Sequence, residues 1–254
     1  FTVTADVGNG TLTQELTTDT LQADSTEQLI FNELNTSALA AREEPFTVTV
    51  STPTANDSLT GNLTILEPAE SNLTNLSIAG QGAEAEIVEG TETNVSVDVT
   101  NVGDTADNFT VTANVGDETL TQELTVNVSA GTTERITFDA LNTSVLSADA
   151  SPFTVTVSTA NDSLTGNLTI LEPGQTELTN LSIAGQGAEA EIVEGTDATV
   201  SVNVTNVGDV ADNFTVTAEV GQVDQSLTVN LSARTTERIT FGELNTSALA
   251  ARET

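Results

Sequence analysis

The stretch Val99-Thr100-Asn101-Val102-Gly103-Asp104-Thr105-Ala106-Asp107-Asn108-Phe109-Thr110-Val111-Thr112-Ala113-Asn114-Val115-Gly116 sets the reading of the whole chain. Phe109, Val111, Ala113 and Val115 alternate with polar residues, so an extended segment here buries one face and wets the other. Val95, Val97 and Val99 carry the same rhythm in the run before it. Between the two lies Asn-x-Gly-Asp, which is turn chemistry. Two strands joined by a tight connection follow from these residues alone.

This text is repeated. Val204 through Val216 repeats Val99 through Val111 at an offset of 105 residues, with Val210 for Thr105 as the one difference. At the same offset Asn180–Glu189 copies Asn75–Glu84, and Gly166–Pro173 copies Gly61–Pro68. Small gaps fall where turns are expected, such as the insertion of Pro53-Thr54. A period of that length is a whole domain, far longer than a solenoid unit. Proline cannot donate to a ladder, so Leu66-Glu67-Pro68 and Leu171-Glu172-Pro173 close their repeats. The expected units are 1–68, lacking its opening strands, a complete 69–173, and 174–254, lacking its closing strands.

Seven strand-like runs are readable in 69–173. They are Leu73–Ile78 (weakly alternating), Val95–Val99, Phe109–Val115, Leu124–Val128, Ile136–Phe138, Phe153–Val157 and Leu164–Ile170. Seven half-buried strands in about 100 residues predict an antiparallel β-sandwich. The alanine-rich Leu244–Arg252 is the one helical candidate, expected as a turn or a single crossover. Glu84, Glu86 and Glu89 read as a solvated strand face.

The strand, Asn-x-Gly, Ala-x-x-Phe-x-Val pattern of Val99–Val111 and Val204–Val216 resembles the CARDB (cell adhesion related) family of immunoglobulin-like domains. The full repeat resembles those of haloarchaeal secreted surface glycoproteins. The resemblance implies tandem immunoglobulin-like seven-stranded sandwiches on an archaeal or bacterial surface, and it carries over no catalytic residue.

Composition narrows the function. The formal net charge is −33, with five arginines (Arg42, Arg135, Arg234, Arg238 and Arg252) and no lysine. Such a surface repels nucleic acid and anionic lipid, so neither is an expected partner. It suits concentrated salt, where a Debye length of about 3 Å screens the carboxylates from one another. A halophilic source is therefore expected, with an ordinary acidic extracellular domain as the alternative. Cysteine is absent, which removes disulfides and redox chemistry. No apolar run approaches the roughly 18 residues of a membrane span.

Asparagine context is the strongest chemical signal. Of 21 asparagines, 17 lie in Asn-x-Ser/Thr sequons, although Ser plus Thr make up only 65 of 254 residues and random text would supply about five. Within 69–173 the ratio is eight of ten, so repetition does not create it. The sequon asparagines are Asn9, Asn35, Asn56, Asn62, Asn72, Asn75, Asn94, Asn108, Asn127, Asn142, Asn161, Asn167, Asn180, Asn203, Asn213, Asn230 and Asn245. Asn127 and Asn203 each sit between two valines of a strand and should face solvent. N-linked glycans are expected at several of these positions, against the bland reading that Thr-rich strands and Asn turns make sequons by accident.

Catalysis has little raw material. His, Cys, Lys, Tyr and Trp are all missing, which removes the usual base, most nucleophiles and the soft metal ligands. No enzymatic activity and no cofactor are expected. Asn101, Asp104 and Asp107, with their copies Asn206, Asp209 and Asp212, could offer oxygens to calcium. Their spacing fits no calcium loop, and such residues more often cap turns.

The expected function is structural: an extracellular filament or surface array of glycosylated modules serving adhesion or surface architecture. A carbohydrate- or protein-binding adhesin module is the alternative. Glu253-Thr254 falls where the first repeat continues into Glu44-Pro45-Phe46. Either neighbouring repeats of a longer chain complete the outer units, or copies of the chain exchange strands head to tail. For the latter, Phe1-Thr2-Val3-Thr4 resembles the missing Phe-Thr-Val-Thr-Val.

Overall fold

The computed structural model describes residues 1–41, 46–52, 57–116, 120–148, 152–193, 195–221 and 223–244. Among them every regular element is a strand, apart from 3-10 turns at Thr36–Ala38 and Thr143–Val145. The strands are β1 (Thr2–Val7), β2 (Leu12–Thr17), β3 (Phe46–Thr52), β4 (Asp57–Leu63), β5 (Ser71–Ile78), β6 (Glu84–Val88), β7 (Val95–Asn101), β8 (Asp107–Val115) and β9 (Leu120–Val128). They continue as β10 (Thr133–Thr137), β11 (Phe153–Ser158), β12 (Ser163–Leu171), β13 (Thr176–Ile183), β14 (Val200–Asn206), β15 (Asp212–Val220), β16 (Val223–Leu231) and β17 (Thr236–Thr240). Of the expected helical candidate, Leu244 bridges Ala198 as an isolated antiparallel contact, and the remainder lies outside the described residues.

The middle of the chain folds as two facing sheets, ordered β10-β7-β5 and β6-β12-β11-β8-β9. Alternation is what lets them face each other. Val95, Val97 and Val99 of one sheet and Val111, Ala113 and Val115 of the other are wholly buried, and they share one core with Phe138, Leu146 and Leu168. Each fully buried valine contributes about 1.5–3 kcal/mol of apolar transfer, and the unit holds eight of them (Val95, Val97, Val99, Val111, Val115, Val128, Val155 and Val157). The architecture is all-β and consistent with a β-sandwich.

Eight strands, not seven, build this unit. The additional one is β6, which pairs in parallel with β12 from Asn167↔Glu84 to Leu171↔Val88. Its glutamates face solvent while Ala85 and Ile87 are buried, so the expected solvated strand face is present on a strand the seven-run count omitted. Gly166 makes the pairing physically feasible: a Cβ there would run into the Ala83 carbonyl, which instead accepts the Asn167 N–H at 2.8 Å.

The weak alternation of Leu73–Ile78 also has a cause. The β5–β7 register shifts between Thr74 and Ser77, and Asn75 sits at φ 53. Asparagine tolerates the left-handed region better than most residues, and one such residue inside a strand breaks the two-residue rhythm. Asn180 repeats the arrangement in β13.

The flanking segments reuse the same strands in part. Residues 2–63 form one sheet ordered β2-β1-β3-β4, with Val7, Leu39 and Phe46 at its buried centre. Residues 176–240 form the sheet β13-β14-β17 and the hairpin β15-β16 around Val204, Leu231 and Phe241. Identical text takes different structure in different company. Ala83–Gly90 and Ala188–Gly195 have the same sequence, yet the first contains β6 and the described part of the second contains no strand. The difference is the partner, since β12 is present for β6 and no described strand lies along 189–193.

Candidate functional site

Burial divides the asparagines by context. Asn56 and Asn245 lie outside the described residues. None of the other fifteen sequon asparagines is buried: Asn167 and Asn203 are half-buried and the other thirteen are exposed. The two fully buried asparagines, Asn101 and Asn206, are both outside sequons. Asn127 faces solvent as its valine neighbours dictate, whereas Asn203 is held half-buried by a hydrogen bond from Arg238.

Several sequon side chains also have local work. Asn35 and Asn142 cap the 3-10 turns by accepting from the Ser37 and Ser144 N–H groups through Oδ1, which leaves each Nδ2 directed elsewhere. Across the hairpins Asn127 donates to Asn108, and Asn230 donates to Asn213, both at 3.0 Å. Paired sequons therefore stand side by side on the outer face of β8–β9 and of β15–β16.

The residues weighed for calcium take part in a different construction. Asn101 Oδ1 accepts from the Gly103 N–H at 3.0 Å and the Glu70 N–H at 3.4 Å, while Nδ2 donates to the Thr105 and Val128 carbonyls. Asp104 accepts from the Glu67 N–H at 3.0 Å, and its own N–H donates to the Glu67 carbonyl. Asp107 accepts from the N–H of Asn108. Asn206, Asp209 and Asp212 repeat each of these contacts, with Glu172 and Gln175 in the places of Glu67 and Glu70. Among the described residues there is no group of three or more His, Cys, Asp or Glu side chains arranged to hold a metal.

Together these contacts dock each inter-unit linker onto the turn of the unit that follows. Gly103 and Gly208 permit it, because a Cβ on either would drive into the carbonyl of Pro68 or Pro173. Sequence alone marked the two prolines as boundaries without showing that the chain after them is fastened. The recoverable signal was the joint repetition of Leu-Glu-Pro and Asn-Val-Gly-Asp at one offset.

The second linker has an extra tie. Arg234 pairs with Glu172 at 2.8 Å and with Asp209 at 2.9 Å. The Asp209 carboxyl is held below the usual carboxylate range, first by the Glu172 N–H and then by the Arg234 guanidinium, which is itself shifted upward. Asp98 is likewise lowered, chiefly by the amide of Asn75, with Arg135 adding to it.

A groove of ≈ 500 Å³ lies between β13–β14 and β15, lined by Ile183, Val200, Val202, Val216, Val220 and Phe241. No helix among the described residues is long and apolar enough to cross a membrane. Neither a protein-family model nor a curated protein matches the chain.

Proposed function

We propose that this protein is a structural component of an extracellular filament or cell-surface array, built from tandem, N-glycosylated, immunoglobulin-like modules. The observation that carries the reading is the division of the asparagines. No sequon asparagine among the described residues is buried, and the asparagines at zero exposure lack the sequon. The frequency adds to it, since 17 of 21 asparagines lie in sequons where Ser and Thr content alone would place about five. Glycans on outward-facing strand positions add bulk and solubility without entering the core.

The all-β, two-sheet architecture is compatible with the immunoglobulin-like part of the reading, and the CARDB-like part rests on the resemblance of Val99–Val111 and Val204–Val216. Two facing, mainly antiparallel sheets over one alternating core are what such sandwiches share. Fastened linkers favour a semi-rigid series of units with spacing of roughly 30–40 Å, set by the nine-residue strands β8, β9 and β12 and the turns at their ends. The charge of −33 supports a halophilic setting. The absent His, Cys and Lys support a non-enzymatic role without cofactors.

Glycopeptide mass spectrometry on protein recovered from the cell surface or medium tests this. Glycans on several of the exposed sequon asparagines are expected, with none on Asn101 or Asn206. Bare asparagines throughout, or recovery from the cytoplasm alone, would refute it.

A further inference from the structure

On the hairpins β8–β9 and β15–β16 a sequon faces a sequon. Asn108 lies directly opposite Asn127, and Asn213 opposite Asn230. Among the described residues these are the two places where one sequon asparagine hydrogen-bonds another, at 3.0 Å in both units. The bond runs the same way each time. Nδ2 of the later residue donates to Oδ1 of the earlier one. All four side chains are exposed.

The two amides of a pair are not equivalent as acceptors of sugar. An asparagine Nδ2 carries two N–H groups, and an N-linked sugar takes the place of one of them. Nδ2 of Asn127 already serves Asn108, and more loosely the Asp107 carbonyl at 3.5 Å. Asn108 and Asn213 enter their pair bonds through Oδ1, and no hydrogen bond to a described residue occupies their Nδ2. A sugar on the earlier residue leaves the cross-strand bond intact. A sugar on the later one takes a hydrogen from the nitrogen that makes it.

Space points to the same member. On the β11 side of Asn108 lies a hollow of ≈ 390 Å³, whose wall includes Asn108, Thr110, Thr112, Ser158, Thr159 and Asn161. Its hydroxyls suit the first sugar of a chain on Asn108. Asn127 stands on β9, the outermost strand, away from that hollow. Room for two sugars side by side is missing. Side chains directly opposite in an antiparallel pair have Cβ atoms about 4.5–5.5 Å apart, and a hexose ring with its hydroxyls is wider than that. The bond between the amides keeps the two side chains from splaying.

We infer that each pair takes one N-linked glycan, on Asn108 and on Asn213, and that the closed hairpin then shuts out Asn127 and Asn230. In the transfer a glycosyl phosphate donor loses its C1–O bond, and the electron pair leaves on the phosphate. C1 bonds to Nδ2, and the amide gives up one proton to a base of the transferase. In an unfolded chain the partners stand 19 and 17 positions apart, so exclusion belongs to the folded hairpin. Asn108 and Asn213 are one 105-residue period apart, which sets one sugar chain at the same place on successive modules. This inference rests on the glycosylated-array reading and deepens it by assigning the occupied member of each pair.

Cleavage before aspartate and after arginine yields fragments 107–116, 117–135, 212–223 and 224–234, each with one sequon asparagine. Mass spectrometry of protein from the producing cells reads the glycan occupancy of each. Asn108 and Asn213 are expected to exceed their partners by roughly fivefold, the weight of one hydrogen bond. The two occupancies of a pair should sum to no more than one glycan per chain. N108Q and T110A should each raise Asn127 occupancy by a similar factor; T110A removes the sequon hydroxyl and keeps the Asn108 amide in place. Occupancies within a pair that sum to more than one, a larger share on Asn127 than on Asn108, or an Asn127 level that neither variant moves would overturn the inference. So would four bare fragments while other sequons carry sugar. Each of those results leaves a glycosylated surface protein standing; bare asparagines at every sequon refute that reading.

Discussion

Arg234 donates from Nη2 to Glu172 Oε2 at 2.8 Å, fastening a linker residue to the unit that follows it. It does so from φ 58, at the position that Gly131, φ 65, fills in the middle unit. A long side chain in the left-handed region is disfavoured, and here it gains contacts to Glu172, Asp209 and the Val207 carbonyl. Replacing it by alanine removes the guanidinium but leaves the Glu172 N–H on Asp209. The Asp209 pKa should rise only part of the way toward its ordinary value in R234A, as followed by carboxyl NMR titration. A full return would mean that the backbone bond does not matter.

Asn101 and Asn206 should be the costliest asparagines to lose. In N101A the Gly103 N–H and the Thr105 and Val128 carbonyls lose a buried partner. Each unsatisfied group costs about 1–3 kcal/mol, so a loss of roughly 3 kcal/mol is expected in equilibrium unfolding, and the same for N206A. N94Q, at an exposed sequon, should stay within about 0.5 kcal/mol.

Acid sensitivity follows from Asp98. Its folded pKa is depressed, first by Asn75 and also by Arg135. The unfolded chain therefore binds more protons between the two values, and stability rises with pH across that window. The contribution is complete above the unfolded value of about 3.9 and is lost as pH falls through the lower, folded value. N75A should raise the Asp98 pKa and move that loss to higher pH, read from urea midpoints between pH 2 and 5. A midpoint profile that N75A leaves unmoved would contradict the assignment.

Salt should stabilise the fold. With 38 acidic and five basic residues, self-repulsion opposes the compact state until it is screened. The thermal midpoint is expected to climb by more than 10 °C between 0.1 M and 3 M KCl. A flat or falling midpoint would remove the halophilic expectation.

Much of the fold was legible because valine and phenylalanine alternate so regularly. Val95–Val99, Phe109–Val115 and Phe153–Val157 all lie in strands with their apolar residues inward. What escaped the pattern depends on neighbours. Glu84–Val88 becomes a strand only because β12 runs beside it, and the same letters at 189–193 do not. No periodicity within one segment can encode a partner's presence. Asn75 disrupts its strand through a left-handed backbone that alternation does not register. Of the candidate residues, the exposed sequons were readable from strand faces. The linker fastening was not, since it joins Glu67 to Asp104 and Glu172 to Asp209 across 37 positions.

Electron micrographs of the native extracellular material, taken in molar salt, test the structural-array function most directly. Threads or a lattice of knobs spaced by roughly 30–40 Å are expected. Dispersed single particles, with no periodic assembly at any salt concentration, would contradict it.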